Sequence, residues 1–177
     1  ISGFETLRAT TAAITQDMAA LTGIVTLQSS GTAAVPATGY VLTATEATDI
    51  ADYFAFGTSD ISGAGLDLTL ATDGAADSLN IHVGLDSAQT NATAVKVDAV
   101  EIETALINSV GKDGNTITDF EADALTSLTV IGNKTLSVTL NDSASQLATP
   151  AVGTIPLTTV DASGFTGDSL TITAVEA

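Results

Sequence analysis

One phrase of residues recurs along this 177-residue chain, and it constrains the fold to short stacked β-strands. From Leu125 it reads Leu-Thr-Ser-Leu-Thr-Val-Ile-Gly-Asn-Lys-Thr-Leu-Ser-Val-Thr-Leu. It resumes from Leu157 as Leu-Thr-Thr-Val-Asp-Ala-Ser-Gly-Phe-Thr-Gly-Asp-Ser-Leu-Thr-Ile-Thr-Ala. Apolar residues alternate with Thr and Ser, the period of a strand with one wet face, and Gly, Asn and Asp punctuate the runs. Thr fills 30 of the 177 positions. Thr and Val suit a pleated, half-exposed surface, and a thin ladder of Val, Ile and Leu packs with few aromatics.

Earlier in the chain the same alternation returns with less regularity. Leu66, Leu68 and Leu70 alternate with Asp67 and Thr69; Leu79, Ile81 and Val83 alternate with Asn80 and His82. Between them Thr72-Asp73-Gly74 is a turn signal. Further strands are expected over residues 1–10, 24–27, 40–43, 95–100 and 102–110, with a turn at Gly111–Asn115. The segment Glu46–Phe56 predicts a helix: Thr45 caps it, acids occupy its first turn, and Gly57 ends it. Ile50, Tyr53, Phe54 and Ala47 would share its apolar face. The Ala-rich residues 11–21 carry a second, shorter helical signal, weakened by Thr10, Thr11 and Thr15. Spacings of about 8 and 13 residues fit a solenoid with irregular corners, and an antiparallel β-sandwich is the alternative. Residues 1–60 are then a strand-plus-helix N-terminal part of the domain, and 61–177 its repeat region.

Charge narrows the partners. Twenty-one acidic residues face only Arg8, Lys96, Lys112 and Lys134, a formal net charge of -17. Such a field repels nucleic acid and anionic lipid surfaces. No apolar run reaches the roughly 18 residues of a membrane span. Most carboxylates lack a protein cation, so solvent or an external cation must neutralise them. Calcium, which gathers several carboxylate and carbonyl oxygens at once, is the natural one. Candidate ligands sit at or near turn signals: Asp60, Asp67, Asp73, Asp77, Asp86, Asp113, Asp161 and Asp168. The chain has no cysteine, which removes disulfides and thiolate chemistry.

Catalysis finds little to hold. The single histidine, His82, alternates with Ile81 and Val83 and points away from the core. It has no histidine or cysteine with which to build a zinc site, and no acid pair or phosphate loop stands out. Thr pairs such as Thr43 and Thr45, Thr116 and Thr118, and Thr171 and Thr173 leave an ice- or sugar-binding surface as one reading; they do not recur at a fixed period, so strand-forming Thr on a wet face is the default explanation. Tyr40, Tyr53, Phe54, Phe56 and Phe120 are the aromatic candidates for subunit contacts, and core or cap packing explains each of them equally well.

The stretch Ser62-Gly63-Ala64-Gly65-Leu66-Asp67-Leu68-Thr69-Leu70 resembles one calcium-binding nonapeptide of the repeats-in-toxin (RTX) type, with its glycine turn and its Asp. Together with Ile1-Ser-Gly-Phe-Glu-Thr-Leu, Gly74-Ala-Ala-Asp-Ser-Leu-Asn-Ile and the two phrases quoted first, it resembles the repeat region of bacterial surface-layer (S-layer) proteins and RTX-type adhesins. That resemblance implies a right-handed parallel β-solenoid, export, calcium-dependent folding, and self-assembly into a lattice or filament on the bacterial cell surface, with surface polysaccharide as a further partner. It implies a structural protein and not an enzyme, or the spacer of a large adhesin. Ile1 is not an initiator and no signal peptide is visible, so the chain reads as a piece of something longer.

Overall fold

The computed structural model describes residues 6–9, 14–17, 26–31, 40–45, 52–57, 60–84, 93–141 and 155–175. They form fourteen strands, and no helix occurs among them. In chain order these are β1 (Thr6–Ala9), β2 (Ile14–Asp17), β3 (Thr26–Gly31), β4 (Tyr40–Thr45), β5 (Asp52–Gly57), β6 (Asp60–Leu70) and β7 (Ser78–Val83). Then follow β8 (Thr93–Asp98), β9 (Thr104–Ser109), β10 (Asn115–Glu121), β11 (Ser127–Gly132), β12 (Leu136–Asn141), β13 (Thr159–Phe165) and β14 (Leu170–Val175).

Consecutive strands belong to different sheets. The odd-numbered strands make one seven-stranded sheet in order along the chain, and the even-numbered strands make a second. Every pairing is parallel, for example Leu79 with Ala105 and Ile81 with Ile107. In-register parallel pairing stacks like on like, so the alternation in each strand becomes a column through the sheet. Leu27, Tyr53, Ile81, Ile107 and Val130 form one such column in the odd sheet, each fully buried. Leu66, Val97, Phe120 and Leu140 form another in the even sheet. Both columns enter one hydrophobic cluster. Burying each such side chain contributes roughly 1.5–3 kcal/mol, the main term holding the two layers together.

The helix expected over 46–56 is replaced by a strand in its described part. Asp52–Gly57 is β5, paired on both sides by β3 and β7; residues 46–51 lie outside the described residues. Period two replaces the helical reading: Tyr53 and Ala55 are buried while Asp52 and Phe54 face away from the core. A tyrosine and two phenylalanines within four residues fit a strand better than a helix once parallel neighbours cover both edges. Within the short helical signal over 11–21, Ile14–Asp17 is β2, paired with β4; residues 11–13 and 18–21 lie outside the described residues.

The glycine turn of the nonapeptide-like stretch is also absent. Residues 62–65 run inside β6, where the register with β8 shifts between Ile61 and Leu66. Gly65 is needed for a different reason. A Cβ there would sit 2.2 Å from the Lys96 carbonyl oxygen and 3.0 Å from the Tyr53 hydroxyl. The residue permits two backbones to approach where the register shifts.

One polar group is buried at a corner. Asn115 opens β10 at 2% exposure, and its amide donates to Ser109 Oγ at 2.9 Å and to the Val110 carbonyl at 2.8 Å. Ser109 Oγ donates in turn to the Thr135 carbonyl at 3.4 Å. These bonds tie the turn between β9 and β10 to the next one.

Candidate functional site

The outer side of the even sheet concentrates acid. Buried Leu66 and Leu68 flank Asp67, and buried Val95, Val97 and Ala99 flank Lys96 and Asp98, so these polar side chains face outward. Register then aligns them: Asp67 pairs with Asp98, Asp98 with Glu121, and Glu121 with Asn141. Adjacent parallel strands lie about 4.8 Å apart, so three carboxylates stand in a row with one strand spacing between successive members.

A bulge in β10 sets this arrangement. Its register shifts after Ile117, so that Phe120 turns inward and Asp119 and Glu121 turn outward. Lys96 Nζ lies 2.9 Å from Asp119 Oδ2 and 2.9 Å from Glu121 Oε1. The Asn141 amide donates to Asp119 Oδ1. One ammonium thus serves a group of four acids.

The uncompensated charge appears in the titration of the group. Burial, followed by the charges of Glu121 and Asp67 and a hydrogen bond with Glu121, pushes the Asp98 carboxyl up to about 7, against the pull of Lys96. Burial and Glu121 also raise Asp67. Lys96 is held above its ordinary range by its bonds to Glu121 and Asp119. The Asp98 carboxyl can therefore hold its proton near neutral pH.

On the outer side of the odd sheet, His82 Nε2 stands 2.9 Å from Asp52 Oδ1, and its Nδ1 stands 3.3 Å from the Asn108 amide nitrogen. The Phe54 ring stacks on the imidazole with centroids 4.3 Å apart and planes 10° from parallel. Asn80 also donates to Asp52, at 3.2 Å. The outward position expected of His82 is what the structure shows. Its partners are a carboxylate, an amide and a ring, a polar ladder across β5, β7 and β9.

The other sequence-predicted acids scatter. Asp73 and Asp77 lie in the turn before β7, where the Asp77 carboxylate accepts from Gly74 N at 2.8 Å and Asp77 N donates to Glu103 Oε2 at 2.7 Å. Burial raises the Glu103 carboxyl there despite that hydrogen bond. Asp161 is exposed on β13 and accepts from Ser163 N at 2.9 Å, which lowers its pKa. Asp113 and Asp168 line a cleft with Lys112 and Lys134. The Asp60 backbone opens β6 opposite Thr93. Asp86 lies outside the described residues.

Asp67 therefore meets Lys96, Asp98 and Glu121, which sequence reasoning did not single out, and not the acids of the neighbouring turns. Among the described residues, no group of three or more His, Asp or Glu side chains is arranged to hold a metal ion. No described helix is long and apolar enough to cross a membrane. Of the aromatic contact candidates, Tyr53 and Phe120 are fully buried and serve the core. Phe54 is half-buried against His82; the side chains of Tyr40 and Phe56 lie outside the described residues. No protein-family model, no curated protein and no solved structure matches the chain.

Proposed function

We propose that this chain is a non-catalytic structural segment of a secreted bacterial cell-surface protein, wound as a right-handed β-solenoid and assembling with copies of itself into a lattice or filament. The observation that carries the reading is the continuity of the stack. Strands alternate between two sheets and pair in parallel throughout, an architecture in which each layer offers the next a ready template. At the β13–β14 end of the stack Val160 and Val175 stand 48% and 47% exposed, while Ala162, Phe165, Leu170 and Ile172 are only partly buried against the core. A further pair of strands of the same kind, supplied by another copy, would cover them.

Calcium enters this reading as a screening ion. With a net charge of -17 and an acidic outer sheet, two copies repel on approach. A divalent cation weakens that repulsion. Electron microscopy of the purified chain with calcium, and again after chelation, tests the proposal. Ordered sheets or filaments that dissolve on chelation are expected. Dispersed single chains in both conditions would sink it and leave a passive adhesin spacer as the better account.

A further inference from the structure

We propose that Asp73 and Gly74 form a self-modification site, at which the aspartate converts to isoaspartate through a succinimide with the Asp77 carboxylate as general base. The chemistry is independent of self-assembly. Only two acids of the chain precede a glycine, in Asp73–Gly74 and Asp113–Gly114. At such a pair the glycine nitrogen can attack the aspartate carboxyl carbon and close a five-membered ring, because glycine has no Cβ to obstruct the approach. Both pairs lie exposed in turns, the first between β6 and β7 and the second between β9 and β10. What sets the first apart is a base already in contact with the attacking nitrogen.

The Asp77 carboxylate accepts from Gly74 N at 2.8 Å. It comes this close because residue 74 is glycine: a Cβ there would stand 2.9 Å from Asp77 Oδ1 and 3.2 Å from Oδ2. The main chain of Asp77 is fixed on both sides, since its N donates to Glu103 Oε2 at 2.7 Å and its carbonyl accepts from Thr104 N at 3.0 Å. The start of the turn is anchored as well, by the bond from Leu70 N to Glu101 Oε2 at 2.6 Å. A carboxylate held on an N–H at this distance meets the geometric requirement for a general base. The N–H lies in the peptide plane while attack proceeds from the face of the nitrogen, so the base keeps its contact as the ring closes. The second pair is set differently. A Cβ on Gly114 would lie 3.2 Å from Thr135 Cβ in the next turn, and Asn115 N is held by the Thr135 carbonyl at 2.9 Å.

In the first step a bond forms between Gly74 N and Cγ of Asp73, which reacts as the carboxylic acid. The amide proton passes to Asp77, the Cγ–OH bond breaks, and the hydroxyl leaves as water with that proton, returning Asp77 to the carboxylate. In the second step water adds to one of the two ring carbonyls. Opening at Cγ restores aspartate. Opening at the main-chain carbonyl of Asp73 gives isoaspartate, with the chain running through Cβ and Cγ. A water is released and a water taken up, nothing is oxidised or reduced, and the reactants are all in the turn itself.

Prolonged incubation of the full chain in mildly acidic buffer tests the proposal, with isoaspartate located by peptide mapping and fragment-ion mass spectrometry. Isoaspartate is expected at residue 73 at a rate about tenfold or more above that at residue 113. In Asp77→Ala the rate at residue 73 should fall by about tenfold or more, while the rate at residue 113 stays unchanged. The main-chain bonds of Asp77 do not involve the replaced side chain, and thermal unfolding of the variant checks that the fold persists. In urea, with the turns undone, the two sites should react at similar rates. A folded chain that isomerises no faster at residue 73 than at residue 113, or an Asp77→Ala chain that isomerises as fast as its parent, would overturn the assignment. The parent's own comparison between buffer and urea decides the matter even where the variant is unstable.

Discussion

Asp98 on β8 and Glu121 on β10 are register partners on the outer side of one sheet, and their proximity helps hold the Asp98 carboxyl protonated up to about pH 7. A raised carboxyl pKa in the folded state means that the fold binds a proton the unfolded chain has already released. The window runs from the ordinary value of 3.8 to about 7. Stability therefore falls as pH rises through that range. Asp67 and Glu103 are shifted in the same direction and add to the trend.

Asp98→Asn should remove most of that slope. Thermal unfolding followed by circular dichroism at pH 5 and pH 8 is the check. The parent is expected to melt lower at pH 8 than at pH 5, while the variant melts at nearly the same temperature in both and above the parent at pH 8. A parent with no loss between the two would contradict the raised Asp98 carboxyl.

Lys96→Met keeps the side-chain length and removes the cation held by Asp119 and Glu121. Losing two charge-assisted bonds at a part-exposed site should cost about 1–2 kcal/mol at pH 8, and less at pH 5. Combining it with Asp98→Asn should recover part of the loss. Denaturant unfolding of the four members of this double-mutant cycle measures the coupling.

Gly132 closes β11 with φ of +110°, and a Cβ there would lie 2.1 Å from the Ser109 carbonyl oxygen. Neither the dihedral nor the contact admits a side chain without moving backbone. Gly132→Ala should cost about 1–3 kcal/mol from the strained dihedral, and more from the clash. Equilibrium denaturation against the parent is sufficient to see it.

Asn115→Ala leaves Ser109 Oγ and the Val110 carbonyl without their donor inside the fold. A cost of about 1–3 kcal/mol is expected. Asn115→Asp is the sharper probe. It sets a buried acid against the Val110 carbonyl, so the variant should unfold more easily at neutral pH and regain stability on acidification, as its carboxyl takes up a proton.

Much of the strand pattern was legible because period-two alternation has a direct physical cause. Leu66–Leu70, Leu79–Val83 and Leu136–Leu140 all turn their apolar residues inward. The segment around Tyr53 was not legible, because the short run Asp52–Gly57 fits either period, and the choice was made by the strands that flank β5. Phe120, left open by the sequence between core packing and subunit contact, shows a second kind of difficulty. Alternation carried forward from Asn115 and Ile117 puts Phe120 outside, and the bulge that reverses it leaves no clear mark in the local text. The acidic ladder was hidden for the same reason. Asp67, Asp98 and Glu121 are separated by more than twenty residues at each step, and only the sheet register brings them into line.

The alternation of strands between the two sheets has a mechanical consequence. Each strand pairs only with the strands two before and two after it, so the backbone bonds of one layer can part while those beyond it hold. Tension applied along the stack should peel the chain layer by layer, giving a series of small rips in a force–extension trace in place of one large one. Under load such a molecule yields gradually and lengthens many times over before its last layer lets go.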